Sequence, residues 1–77
     1  MIEHKFEPDL VEFLKDKKAN VRKLVEASNE KKSSHVFDQD YMYVVDQRAC
    51  MITAWYMGME RNFEVWQISY SPNWLQN

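Results

Sequence analysis

Cys50, His35 and one of Asp38, Asp40 or Asp46 are the residue types that could combine in chemistry, as a thiol nucleophile, its base and an orienting carboxylate. The local sequence argues against that role. Cys50 stands in the run Ala49 to Met59, with no glycine-rich loop or helix start beside it to activate a thiol. It reads as a small buried hydrophobe. His4 and His35 stand apart, and neither a Cys-x-x-Cys nor a His-x-x-x-His spacing occurs, so no metal site is expected. Asp38, Asp40 and Asp46 fit turns at strand ends. The single glycine, Gly58, cannot supply the loop that cradles a phosphate. The expectation is therefore a chain with no catalytic, metal or cofactor-binding residue.

A second grouping is electrostatic. Lys15, Lys17, Lys18, Arg22 and Lys23 cluster within one segment, and with Tyr and Trp further on they would suit a weak nucleic-acid binder. Glu12, Asp16 and Glu26 interleave with them, and the isoelectric point is near 5.6, so a solvated helix face is the better reading.

The elements that must position these residues divide the chain in two. From Pro8 the apolar residues Leu10, Phe13, Leu14, Val21, Leu24 and Val25, with Ser28, recur at three- and four-residue spacing, which predicts one helix over 8–30. Lys17 and Lys18 interrupt the stripe, so a bend, or two shorter helices meeting near Asp16 to Asn20, is the alternative. Residues 31–34 form a polar linker. Beyond it β-branched and aromatic residues predominate, predicting strands at Tyr41 to Val45, Ala49 to Met57 and Phe63 to Tyr70, with a fourth at His35 to Phe37. The fold class is α+β: one N-terminal amphipathic helix on a three- or four-stranded antiparallel sheet over 35–77.

Turns centred on Gln47-Arg48 and Glu60-Arg61 would place Met42, Val44, Met51, Thr53, Trp55, Met57, Trp66, Ile68 and Tyr70 on one face. Tyr41, Tyr43, Val45, Cys50, Ile52, Ala54, Tyr56, Phe63, Val65, Gln67 and Ser69 would share the other. Both faces are apolar, and one helix covers only one. The second must be buried by the arm with Phe6, the tail with Trp74 and Leu75, a second copy or a partner. The Met42 face is the expected core, leaving Tyr41, Tyr43, Ile52, Tyr56, Phe63 and Val65 as the expected partner-binding surface, because tyrosine tolerates both a dry and a wet environment.

A helix followed by strands ending in Ile68-Ser69-Tyr70-Ser71-Pro72 resembles the front half of a GNAT-type acetyltransferase over about residues 35–74. No glycine-rich pyrophosphate loop follows, so the resemblance implies no acetyl transfer.

Seventy-seven residues with one cysteine suit one small domain from a reducing compartment, read as cytoplasmic. The charged start Met1 to Glu7 predicts no secretory leader, and no apolar run is long enough to span a membrane. Residues 1–35 carry eight Lys/Arg against seven Asp/Glu, whereas residues 36–77 carry two against five, so the strand region is the acidic part. These features favour a non-enzymatic protein–protein interaction module, an inhibitor or adaptor of the kind small phage and mobile-element accessory proteins provide. The alternatives are a homodimeric structural module and a weak nucleic-acid binder using the helix lysines.

Overall fold

The computed structural model describes residues 4–76. Two helices, α1 (Leu10–Lys15) and α2 (Lys17–Lys31), precede strands β1 (His35–Asp38), β2 (Tyr41–Asp46), β3 (Met51–Met57) and β4 (Asn62–Ser69), and a 3-10 turn (Pro72–Leu75) follows. The strands form one antiparallel sheet in chain order, so the α+β expectation holds with four strands. No helix of the described residues is long and apolar enough to cross a membrane.

The single helix expected over 8–30 is two helices, broken at Asp16, whose φ of −137° and ψ of 55° leave the helical region. Lys17 supplies the reason. It lies four residues after Phe13 and four before Val21, so a continuous helix would place its ammonium in the middle of the buried stripe. The break sets it at the edge instead, with Nζ 5.6 Å from the centre of the Trp74 ring. Asn20 repairs part of the interruption, donating from Nδ2 to the Phe13 carbonyl oxygen at 3.0 Å. At the start of α1 the Asp9 side chain accepts from the Glu12 N–H, capping the helix.

Helix α2 ends by turning left-handed at Lys32 (φ 53°). The Lys32 and Ser33 N–H groups donate back to Asn29 and Ser28, and the buried Ser28 hydroxyl donates to the Ser33 carbonyl. Ser28 thus earns its place in the stripe as a cap. Glycine adopts this conformation without the Cβ penalty, so Lys32→Gly is expected to raise stability by about 0.5–1 kcal/mol in thermal melting. A neutral or lower melting temperature would contradict that reading. The chain's one glycine serves a different need: the Tyr56 ring lies where a Cβ on Gly58 would project.

The core is one cluster, formed by Phe13, Val21, Leu24 and Val25 from the helices and by Val36, Tyr43, Val45, Ile52, Ala54, Trp66 and Tyr70 from the sheet side. Trp66 is central to it. Its ring stands 4.7 Å from Phe13 and 6.0 Å from Tyr43, and its indole N–H donates to the Pro8 carbonyl.

The faces drawn from the turn positions assume an unbroken register, and β4 departs from it. Tyr56 pairs with Phe63 and Trp55 with Glu64, but Ala54 pairs with Trp66, so Val65 is an extra residue in a bulge. That insertion carries Trp66 and Ile68 from the Met42 face to the Tyr43 face, and Gln67 and Ser69 the other way. The assignment of core and surface is reversed as well. Tyr43, Ile52 and Ala54 are fully buried under the helices, so the Tyr43 face is the core.

Candidate interaction face

The residues expected to bind a partner do not form one surface. Tyr43 and Ile52 lie in the core, Tyr41 and Tyr56 are half-buried, and Phe63 and Val65 are exposed. Tyr41, Tyr56 and Phe63 do meet at the end of the sheet beyond the helices, with ring centres 5.6 and 5.2 Å apart. His4 packs edge-on against Tyr41 there, at 5.3 Å.

Among the described residues, neither the N-terminal arm nor the C-terminal tail packs on the opposite side of the sheet. Phe6 packs against Tyr43 at 5.8 Å, on the helical side. The arm is pinned by Asp38, a buried β1 carboxylate that accepts from the backbone N–H groups of Phe6 at 2.8 Å and Lys5 at 3.0 Å. The tail also joins the helical layer: Arg22 donates from Nε to the Trp74 carbonyl at 2.6 Å, and Trp74 and Leu75 pack onto the core.

What remains uncovered is the face opposite the helices, and its residues follow from the pairing. Phe37, Met42, Trp55 and Glu64 make one row across the four strands; His35, Val44, Thr53 and Gln67 make the next. Asp46, Met51 and Ser69 extend the face at one end, and Met57 with Asn62 at the other. Phe37, on the edge strand, is 66% exposed, and Val65 in the bulge is 40% exposed. The Gln67 amide donates to the Thr53 hydroxyl at 2.9 Å, so the polar pair inside the face is satisfied.

The strand residues of this face carry Asp46 and Glu64 and no Lys or Arg. Arg61 turns its guanidinium onto Phe63 on the core side, while Lys32 and Arg48 line a groove at the end of α2 that Val44 and Asp46 of the face also line. The lysines of α1 and α2 belong to the other layer of the molecule.

The residues weighed for chemistry are dispersed. Cys50 is not in a strand; it ends the β2–β3 turn with φ 54°, half-buried, and its thiol contacts the Gln47 carbonyl. His35 neighbours the Ser34 hydroxyl on the exposed edge strand. Asp46 accepts from the N–H groups of Arg48 and Ala49 in a turn, while Asp38 holds the arm. No group of three His, Cys, Asp or Glu side chains converges among the described residues.

No family model matches the chain, and comparison with curated proteins and with solved structures finds no match either.

Proposed function

We propose that this chain is a non-enzymatic adaptor or inhibitor that binds another protein through the sheet face opposite its helices. One observation carries the reading: the helices, the N-terminal arm and the C-terminal tail all pack on the Tyr43 side. On the other side Phe37 is exposed and Met42, Val44, Met51, Trp55 and Met57 are half-buried, with no helix, arm or tail of the described residues packed over them. An apolar face of this extent with a polar rim is the usual anatomy of a protein contact, with tryptophan as the typical anchor. A different protein fits better than a second copy, since the strand residues of this face, charged only by Asp46 and Glu64, offer a copy of themselves no opposite charge. The same carboxylates repel nucleic-acid phosphates.

Trp55→Asp is expected to abolish capture of a partner from lysate of the source cells, and Trp55→Ala to weaken it by about 2–4 kcal/mol, with little change in melting temperature. Val11→Asp, on the exposed side of α1, should capture as the unaltered protein does. Equal capture by folded Trp55→Asp protein would sink the proposal.

A further inference from the structure

We infer that the occupant of the open face is a basic amphipathic helix of the partner, laid along β3; this rests on the reading of that face as a protein-binding surface. Three features of the face converge on this chemistry.

The first is side-chain type. Met42, Met51 and Met57 concentrate here, around Trp55. Methionine is unbranched and polarizable and re-packs around protruding side chains, so a Met-rich surface suits the knobs of a helix better than the flat face of a second sheet.

The second is dimension. The opposite face already carries α2, a helix of 15 residues, and β3 has 7 residues. At about 3.4 Å per residue the strand spans roughly the length of about 15 residues of helix at 1.5 Å each. A helix on the open face would complete a three-layer arrangement and bury the row Phe37, Met42 and Trp55 with Met51 and Met57 to either side.

The third is charge. Glu64 flanks Trp55 directly in the register, Asp46 pairs with Met51, and Asp40 sits in the β1–β2 turn, its carbonyl accepting from the Met57 N–H. Lys32 and Arg48 share a groove with Asp46 at one end of the face, whereas Glu64 stands in the row of Phe37, Met42 and Trp55, so the complementary helix carries lysine or arginine beside its apolar stripe where it passes Glu64.

The test uses the full chain and two synthetic helical peptides of about 15 residues, one of leucine and lysine in amphipathic spacing and one with glutamate replacing every lysine. Binding is followed through the methionine methyl resonances. The lysine peptide should shift Met42, Met51 and Met57 and leave the turn residue Met59 unmoved, and the glutamate peptide should do neither. Glu64→Lys should weaken the lysine peptide at least about fivefold, whereas Glu26→Lys, an equal charge change on α2, should alter it less than about twofold. Binding of both peptides alike, of neither, or without loss in Glu64→Lys would overturn the basic-helix inference while leaving the open face as a protein contact. Methyl shifts that depend on protein concentration alone would name a second copy as occupant and overturn both.

Discussion

Tyr43→Ala is expected to cost about 3–5 kcal/mol, the range for truncating a large core aromatic. A domain of this size has roughly 4–12 kcal/mol in all, so the variant should be largely unfolded near 37 °C. The side chain is fully buried, between Phe6 at 5.8 Å and Trp66 at 6.0 Å, so its removal opens a cavity where arm, sheet and helical layer meet. Its hydroxyl has no hydrogen-bond partner among the described residues, and Tyr43→Phe should therefore stay within about 1 kcal/mol of the unaltered protein. The pair separates packing from polarity: a folded Tyr43→Ala protein would return this face to the surface.

The same hydroxyl gives the fold an alkaline limit. Burial, and secondarily the Asp38 carboxylate, raise Tyr43 well above the ordinary tyrosine value of 10.0; burial also raises Tyr70. The folded chain keeps these protons where the unfolded chain releases them. Stability is thus full below pH 10 and falls as pH rises above it, and Tyr43→Phe should flatten part of that decline.

Asp38→Ala is the second large effect, about 2–4 kcal/mol. The side chain of Asp38 is 2% exposed, and its carboxylate holds the arm through the Lys5 and Phe6 N–H groups. Removing it leaves both donors without an acceptor, and Phe6 loses the tether that presses it onto Tyr43. Faster proteolysis within the arm, together with a lower melting temperature, is the expected signature. Asp38→Asn should fall between the two, since an amide oxygen still accepts one bond. An unchanged melting temperature in Asp38→Ala would show that the arm contributes nothing to the core.

Much of the fold was legible because periodicity reports local geometry. The helical stripe and the β-rich second half place the helical region and the four strands within a few residues, and the alternation in β2 and β3 sorts their residues onto the correct faces. Three features were not legible. The Val65 bulge is a choice of the whole core, which gains Trp66 at the cost of one unpaired residue. The break at Asp16 was visible as a defect at Lys17, but whether the chain bends or breaks depends on the later position of Trp74. Which face is the core was hidden because both are apolar, and the tyrosines were weighed by their hydroxyls. The better signal was size: Ala54, the small residue between Tyr43 and Trp66 in the register, leaves room for a layer to settle, whereas Trp55 on the reverse does not.

The measurement closest to the central claim is the solvent exposure of methyl groups in the free protein, read from broadening by a soluble paramagnetic agent. Met42, Met51 and Met57 should broaden at low and high protein concentration alike, with fully exposed Met59 as the upper reference and buried Leu24, Val36 and Ile52 protected. Protection of the three methionines equal to that of Ile52 would mean the face is already covered in the free chain, and would contradict the account.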